Sequence, residues 1–302
     1  MRVFVTGGTG AIGRHAVPAL VDAGHDVTAL ARGEAKAAVL RGQGAAAVQL
    51  SLFDSAALTT AFRGHDAVVN LASALPSPHR FMLKSAWAEC QRIRTEGSAA
   101  VVDAASAAGV ARVVQESVAT IYRDNGDRWI DENSPVDHFP IAVGNHAAES
   151  NARRFGGSGQ DAVVLRFGLF YGPGASNSDL IMDLARRHIG FQAGRADAYV
   201  SSIHLGDAAR AVVAALGCDA GTYNIVDDQP VTKKQNVRAM AAAVNSAPLV
   251  TVPGQAALLL GDRSTSLTRS LRVSNQRFRT ATNWRPEYPS VWEGYRALAQ
   301  SR

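Results

Sequence analysis

The chain has 302 residues, of which 47% are hydrophobic and 19% are charged, and its 31 lysines and arginines outnumber its 26 aspartates and glutamates. This balance is typical of a globular, enzyme-sized chain and excludes a disordered, collagen-like or disulfide-stapled protein. The net charge of +5 is scattered along the chain and interrupted by acids, so the sequence does not predict binding to a nucleic acid.

Short apolar runs rich in β-branched residues alternate with alanine- and leucine-rich stretches through the first half of the chain. The runs that predict strands are 3–6, 26–31, 46–52, 67–71, 112–117 and 162–170, and the stretches that predict helices are 11–23, 35–41, 56–62, 85–108 and 142–154. Apolar strands separated by helices indicate a parallel sheet covered on both faces. The sequence therefore predicts an α/β protein with a Rossmann-type, doubly wound parallel sheet over residues 1–170.

The pattern changes after Phe170, where the turn residues Gly172, Pro173 and Gly174 follow Tyr171. A helix over 179–188, short strands near Tyr199 and Tyr223 and further helices are predicted beyond this point. Because no long polar linker interrupts the chain, we expect residues 171–302 to form a smaller C-terminal substrate lobe interwoven with the sheet, with a cleft between the two parts.

The N-terminus shows no apolar stretch with a cleavage site, and no run approaches the roughly 20 apolar residues of a membrane span. Cys90 and Cys218 lie far apart and match no metal-binding or redox spacing. We therefore expect a cytoplasmic protein with no metal site and no membrane segment, either a monomer or a homodimer.

A glycine-rich turn, Thr6-Gly7-Gly8-Thr9-Gly10-Ala11-Ile12-Gly13, stands directly after the first predicted strand and before the first helix. A pyrophosphate binds to backbone N–H groups at such a helix N-terminus, where side chains must be absent. Gly7 would allow the tight turn, Gly10 the close approach of the phosphates and Gly13 the packing of helix on strand. The turn therefore predicts a dinucleotide-binding site.

The end of the second predicted strand indicates which dinucleotide binds. An NAD site usually has an acid there to hold the ribose 2′-hydroxyl, but this strand is followed by Arg32 and Gly33. Arg32 suits a 2′-phosphate, and Arg14 would add a second charged contact. NADPH (or NADP+) is therefore the expected cofactor; two ordinary surface arginines are the alternative.

Several further segments contain recognisable motifs: Asn70-Leu71-Ala72, Thr95-Glu96-Gly97, residues 166–173, residues 203–207 and Tyr223-Asn224-Ile225. Together with the glycine-rich turn, they resemble the extended short-chain dehydrogenase/reductases of the epimerase/dehydratase branch. The resemblance implies that the pyrophosphate lies on Gly7, Gly10, Ala11, Ile12 and Gly13, the adenine by Ser51 and Leu52, the ribose near Leu71, Ala72 and Ser73, and the nicotinamide beside Phe167, Gly168 and Leu169.

The family's catalytic Tyr-x-x-x-Lys pair and strand-end hydroxyl are missing. In the family the tyrosine protonates the developing alkoxide, and the lysine lowers the pKa of that tyrosine. With Glu149 as the anchor of the family's active-site helix, Ile141 stands in place of the tyrosine and Asn145 in place of the lysine. The hydroxyl position falls on Val118, next to Ser117.

These losses resemble those of atypical reductases that tailor aromatic polyketides such as angucyclinones. We therefore expect a ketoreductase whose substrate, an aromatic ketone or quinone with a neighbouring hydroxyl, supplies its own proton. Ser117 is a candidate hydrogen-bond donor to the substrate oxygen. Glu116, an acid on an apolar strand, is expected at the surface or in a cap, with the orientation of a hydroxyl as the alternative. A non-catalytic NADP(H)-binding sensor or regulatory protein remains open as the alternative. Apolar residues expected at the cleft are Leu75, Phe81, Met82, Trp87, Trp129, Phe139, Ile141, Phe167, Leu169 and Phe170.

Overall fold

The computed structural model describes residues 1–157, 159–247, 250–254, 261–262 and 264–300. The strands are β1 (Arg2–Thr6), β2 (Asp26–Ala31), β3 (Ala46–Gln49), β4 (Ala67–Asn70), β5 (Arg112–Val118), β6 (Trp129–Ile130), β7 (Asp161–Phe167), β8 (Leu169–Tyr171), β9 (Ile189–Ala193), β10 (Tyr199–Val200), β11 (Ser202–His204), β12 (Gly221–Ile225), β13 (Val231–Thr232), β14 (Val250–Gly254) and β15 (Arg272–Val273). The helices are α1 (Gly13–Asp22), α2 (Glu34–Gly42), α3 (Ser55–Phe62), α4 (Ala88–Arg92), α5 (Ser98–Ala107), α6 (Val143–Gly156), α7 (Ser176–Arg186), α8 (Leu205–Ala214), α9 (Lys233–Ala243), α10 (Thr265–Thr268), α11 (Gln276–Ala281) and α12 (Val291–Gln300).

Seven strands form one parallel sheet in the order β12-β7-β5-β4-β1-β2-β3. The strand order reverses between β1 and β4, so a crevice opens at the carboxyl ends of these two strands. In open α/β sheets this is the place where ligands bind. The α/β class and the doubly wound parallel sheet predicted from the sequence are confirmed.

The sheet is buried on both faces because its strands carry apolar side chains on both. On β1, Val3 and Val5 pack with one apolar cluster that includes α1 and α8, while Phe4 packs with a second cluster that includes α3 and α5. Successive strand side chains point to opposite faces, so one short run supplies both cores.

The long helix predicted over 85–108 is interrupted. The chain forms a 3₁₀ turn at Lys84–Trp87, then α4, then a π-helical turn at Ile93–Gly97, and only then α5. A π-helical turn inside a helix is uncommon and is frequently found at functional sites. In this protein it places Arg94 on the wall of a cavity.

Two predicted strands end earlier than expected. The run over 46–52 is a strand only as far as Gln49, and the run over 162–170 divides into β7 and β8 at Gly168. A methyl group at Gly168 would lie 2.8 Å from the carbonyl oxygen of Ser201, because β8 leaves the main sheet to pair with β11. The division therefore reflects close backbone packing that the sequence alone does not reveal.

Residues beyond 171 return to the sheet as well as forming the smaller lobe. β12 lies at the edge of the main sheet beside β7, and α8 packs against α1. The remaining elements include α7, α9 and α12, which pack around Tyr171, Met240 and Tyr295. The C-terminal part is thus interwoven with the first part of the chain through the shared sheet.

Candidate active site

The turn between β1 and α1 is a cradle made of backbone. Gly7 has a φ of +71°, which favours glycine, and a methyl group there would lie 2.4 Å from the carbonyl oxygen of Leu71. A methyl group at Gly13 would lie 2.2 Å from the carbonyl oxygen of Gly7. Because side chains are excluded at both places, the N-terminus of α1 is open to a pyrophosphate, and these residues fit a dinucleotide.

A cavity of about 500 Å³ extends from this turn across the ends of β2 and β4. Of the residues predicted for the cofactor, eight line it: Gly7, Gly10, Arg32, Ser51, Leu52, Leu71, Ala72 and Ser73. Ala11, Ile12 and Gly13 lie on the turn and at the start of α1 behind it. The prediction did not include the other lining residues Thr9, Leu30, Ala31, Lys36, Gln49, Leu50, Phe53, Glu89 and Ile93.

Two cations line the cavity at the end of β2. Arg32 follows the strand, and Lys36 lies one turn into α2. Glu34, the first acid after the strand, is engaged elsewhere, since it forms an ion pair with Arg41 and accepts a hydrogen bond of 2.7 Å from Gln49. The end of β2 therefore presents positive charge to a ligand, which suits a 2′-phosphate.

Arg14 lies outside that group. Its side chain leans toward the C-terminal part, where a methyl group at Gly174 would lie 2.8 Å from Nη1 of Arg14. Arg14 is also absent from the residues that line the cavity. In this geometry Lys36, rather than Arg14, is the second cation beside Arg32.

A second cavity of about 170 Å³ lies near the first. Residues close together in sequence line the two: Ser73 and Ile93 line the first cavity, and Leu75 and Arg94 line the second. The second cavity is mainly apolar, and Phe167, Gly168 and Leu169 form part of its wall. Of the apolar residues expected at the cleft, Met82 and Trp129 do not line it, and the rest do.

The positions that the family resemblance aligns with its catalytic residues are also on this wall. Val118 and Ile141 line the second cavity with apolar side chains, and Asn145 lines it one turn after Ile141. Ser117 is 0% exposed, and its hydroxyl donates a hydrogen bond of 2.7 Å to Glu149. Ser117 thus does not reach the cavity in this geometry, and we assign it no contact with substrate.

Comparison with known proteins agrees with this arrangement. Residues 3–225 match the model of the NAD dependent epimerase/dehydratase family. A 3-diazoavenalumate denitrifying reductase of a Streptomyces species is 33% identical over 97% of this chain and 99% of its own length. The chain belongs to the NAD dependent epimerase/dehydratase family.

Two further relatives extend the comparison. A ketoreductase of Stigmatella aurantiaca, which acts on 4-hydroxy-2-methyl-3-oxo-4-farnesyl-3,4-dihydroquinoline-1-oxide, is 32% identical over 55% of this chain and 49% of its own length. The crystal structure of a human epimerase family protein with NADPH superposes with a TM-score of 0.85, at 23% identity and full coverage of both chains. This epimerase-family chain is therefore an NAD(P)-dependent oxidoreductase of the extended type.

A buried ion pair in this family member was missed by sequence reasoning. Arg94 donates a hydrogen bond of 2.8 Å to Glu116 and another of 3.0 Å to Asn145. The side chains of Arg94 and Glu116 are each 4% exposed, so the expectation of a surface or capping role for Glu116 is wrong. The only signal in the sequence was the presence of an acid, Glu116, on an apolar strand. Its partner Arg94 lies on another element and could not be identified from the sequence. Burial raises the pKa of the Glu116 carboxyl, and the nearby guanidinium opposes that rise.

Glu149 anchors a second buried network behind the wall. It accepts hydrogen bonds from Ser117 and from Arg166, with Arg166 Nη2 at 2.7 Å. Burial favours the neutral acid, but the hydrogen bonds from Arg166 hold the pKa of Glu149 below its usual value. Arg166 also donates to the hydroxyl of Tyr122, which donates to Asn224. Both networks use side chains that the strands bring together from distant parts of the chain.

The tyrosines of this oxidoreductase differ in their access to the second cavity. Tyr122 is fully buried, and burial raises its pKa to about 12, so its hydroxyl serves the network around Arg166. Tyr199 is the one tyrosine among the described residues that lines the cavity, on the wall formed by the C-terminal part. Lys233 lies on that same wall, donates to the carbonyl oxygens of Ala193 and Leu267, and has its pKa lowered to about 8 by burial.

None of the helices in the described ranges combines the length and the apolar character that a membrane span requires.

Proposed function

We propose that the protein is an NADPH-dependent ketoreductase that reduces a carbonyl of an aromatic polyketide, such as an angucyclinone, to a hydroxyl. The observation that carries this proposal is the nature of the second cavity. It lies near the nucleotide cavity, it is mainly apolar, and the places of the family's proton donor are occupied by Ile141 and Val118. Such a cavity suits a flat, apolar ligand that needs no acid from the protein.

The preference for NADPH is supported by charge. Arg32 and Lys36 both line the adenosine end of the nucleotide cavity, whereas Glu34 is paired with Arg41. Two cations stabilise a 2′-phosphate, which NADPH carries and NADH lacks. The human structural neighbour, which was solved with NADPH, is consistent with this choice.

The aromatic substrate is supported by the size and shape of the cavity. Its volume, about 170 Å³, is close to the roughly 150 Å³ of an apolar cavity that takes up benzene. One ring therefore fits inside, and further rings would extend over Leu75 and Leu169, which are 56% and 37% exposed. The Stigmatella relative is named for a substrate with a ring carbonyl, which supports reduction of a ring ketone by this chain.

The chemistry requires little of the protein beyond orientation and exclusion of water. NADPH, when bound, supplies the hydride. As the hydride adds to the carbonyl carbon, negative charge develops on the carbonyl oxygen, and the neighbouring hydroxyl of the substrate transfers its proton to that oxygen. Val118, Ile141 and Phe167 keep water away from the reacting atoms and hold the ring flat. The phenolate that remains takes a proton from water when the product leaves.

A second candidate reaction is favoured by the Streptomyces relative, which matches along the whole chain and is named as a denitrifying reductase of a diazo compound. Hydride addition to the terminal nitrogen of an aryl diazonium ion gives a neutral aryl diazene, which loses N₂ and leaves a C–H bond. This reaction needs no proton donor either, so it also suits a cavity with Ile141 in place of tyrosine. Conversion of an aryl diazonium salt to the arene, dependent on the protein and with one NADPH consumed per N₂ released, would identify it.

The test compares three ketones with the same ring system. 8-Hydroxy-1-tetralone has a hydroxyl beside the carbonyl, 8-methoxy-1-tetralone has that hydroxyl blocked, and 1-tetralone lacks it. We expect NADPH consumption with the first and a loss of at least about 100-fold with the other two, the size of a typical general-acid contribution. Equal rates with all three would contradict proton delivery by the substrate. Tight NADPH binding without turnover of any ketone or diazonium would instead favour the sensor or regulatory protein.

A protein phenol is tested separately. Tyr199 lines the cavity, so Tyr199→Phe removes the one tyrosine hydroxyl on the described wall. Because the substrate is expected to supply the proton, we expect the rate with 8-hydroxy-1-tetralone to change less than about twofold. A large loss of kcat with unchanged affinity for NADPH would make Tyr199 the acid and would overturn the substrate-assisted step.

A further inference from the structure

Three polar side chains from separate elements meet on the wall of the second cavity, which is the substrate cavity of the proposed function. Arg94 lies in the π-helical turn, Glu116 near the end of β5 and Asn145 in the first turn of α6. Arg94 Nη1 donates to Asn145 Oδ1 at 3.0 Å and Arg94 Nη2 donates to Glu116 Oε1 at 2.8 Å. All three residues are at most 4% exposed, and all three line the cavity. We call this group the Arg94 cluster.

The Arg94 cluster is not satisfied by its internal hydrogen bonds. Within the described part of the chain, Arg94 Nε, Glu116 Oε2 and Asn145 Nδ2 are buried without a hydrogen-bond partner. A buried unpaired polar atom is costly, and a buried ion pair already loses much of its hydration. Three such atoms in one group beside a cavity indicate that a polar part of a ligand completes the group.

We propose that Arg94 stabilises the hydroxyl oxygen of the aromatic substrate as that hydroxyl gives up its proton. This inference rests on the proposed function. In the family a lysine lowers the pKa of the enzyme's tyrosine; in this chain the phenol belongs to the substrate, and Arg94 supplies the positive charge. The substrate O–H bond breaks, its proton forms the new O–H bond on the reduced carbonyl, and the electron pair stays on the phenolate oxygen beside the guanidinium.

The proposal also accounts for Asn145. A lysine at this position would place an ammonium group against the guanidinium of Arg94, a like-charge contact that is destabilising inside a protein. Asn145 instead accepts a hydrogen bond from Arg94 and fixes its orientation. The titratable groups that face Arg94 are Glu116 on β5 and the Cys90 thiol on α4. Glu116 balances the charge of the guanidinium when no phenolate is bound.

The experiment measures the pKa of a hydroxyl bound in the cavity. Juglone, a naphthoquinone with a hydroxyl beside a carbonyl, changes colour when it ionises, and it is titrated in the presence of protein saturated with NADP+. One charge-assisted hydrogen bond should lower the pKa of bound juglone by about 1 to 2 pH units relative to free juglone. The double variant Arg94→Gln/Glu116→Gln removes the charges without leaving one of them alone, and we expect it to abolish this shift.

Two further variants keep the result interpretable. Arg94→Lys keeps the positive charge but replaces the planar guanidinium by an ammonium group, so part of the pKa shift should remain. Arg154→Gln removes an exposed cation of α6 that pairs with Asp103, and it should leave the shift unchanged. NADPH affinity and thermal unfolding are measured for every variant. If the double variant does not fold, Arg94→Met/Glu116→Leu, which replaces the buried pair by apolar side chains, takes its place, and a shift as large as in the unaltered protein overturns the proposal.

Failure of this inference differs from failure of the proposed function. If the unaltered protein consumes NADPH with 8-hydroxy-1-tetralone but does not shift the pKa of bound juglone, or if the double variant shifts it equally, Arg94 has no such role. If the pKa shift is present and depends on Arg94 but no ketone is reduced, the cavity binds and polarises hydroxyaryl ligands without being a ketoreductase. Loss of both the shift and kcat in the double variant, with NADPH affinity unchanged, supports both.

Discussion

The nucleotide cavity begins on a backbone turn at the end of β1, where Gly7 and Gly10 line it, whereas the substrate cavity is lined mainly by long side chains from distant segments. A methyl group at Gly13 meets the backbone of Gly7, so the first site tolerates almost no addition. The second cavity carries Ile141 and Asn145 where the family resemblance expects tyrosine and lysine, and a buried ion pair between Arg94 and Glu116 lies on its wall. The fold therefore supplies the backbone of the cofactor site, whereas the chemistry of the reaction depends on individual side chains.

Of the two cavities, the nucleotide cavity should be the more sensitive to a single added methyl group. We expect Gly13→Ala to weaken NADPH binding by roughly 100-fold, because the new methyl group would lie 2.2 Å from the Gly7 carbonyl oxygen and the turn would have to shift. Gly42→Ala is the matched control, since nothing lies within 4 Å of a methyl group at the end of α2. The measurement is NADPH binding by fluorescence titration. Similar affinities for the two variants would mean that the turn is not the phosphate site.

Buried polar groups of the C-terminal part should make the fold sensitive to acid. His204 accepts a hydrogen bond from the Gly206 N–H at the start of α8, and burial, followed by His15 and Arg210, lowers its pKa to about 4. Between about pH 6.5 and 4 the unfolded chain binds a proton that the folded chain does not, so stability falls as the pH drops through this range. The side chain of asparagine can still cap α8 but does not titrate in this range. We therefore expect His204→Asn to reduce the acid-induced loss in the free energy of unfolding by about 2 kcal/mol.

That prediction is checked by urea unfolding at several pH values. His79→Asn, at an exposed histidine, is the control and should leave the pH dependence unchanged. If His204→Asn follows the same pH profile as the unaltered protein, the acid sensitivity arises elsewhere.

The choice between NADPH and NADH should depend on the end of β2. Arg32→Ala should weaken NADPH binding about tenfold, the worth of one charge-assisted hydrogen bond, while affecting NADH much less. Arg14→Ala provides the comparison, since the side chain of Arg14 leans toward Gly174 and not toward Arg32. Titration of both cofactors against both variants decides the matter. Equal weakening of NADPH and NADH by Arg32→Ala would contradict the 2′-phosphate assignment.

The smallest effect is expected from restoring half of the family's catalytic pair. Ile141→Tyr places a phenol on the cavity wall. Asn145, which is hydrogen-bonded to Arg94, cannot lower the pKa of that phenol as a lysine would. We expect reduction of 1-tetralone to improve less than about twofold. Strong rescue by this one change, measured as NADPH consumption, would show that the alignment is right and that a protein acid suffices for the chemistry.

Sequence reasoning was most successful where chemistry depends on local backbone. The glycine-rich turn, the strand before it and the helix after it were read correctly because each is a short contiguous pattern. Ile141 and Asn145 were located by counting from Glu149, and both line the substrate cavity. Arg94 was missed because it is 22 residues from Glu116 in sequence and reaches it only through the π-helical turn.

The sequence by itself determined the class of fold, the dinucleotide turn and the absence of the Tyr-x-x-x-Lys pair, because strand patterning, glycine spacing and residue identity are local properties. Only the tertiary structure decided that Glu116 is buried beside Arg94, that Ser117 serves Glu149, and that Lys36 stands with Arg32. Each of these findings depends on which side chains the fold brings within hydrogen-bonding distance of one another. Each also depends on how much hydration those side chains lose when they are buried.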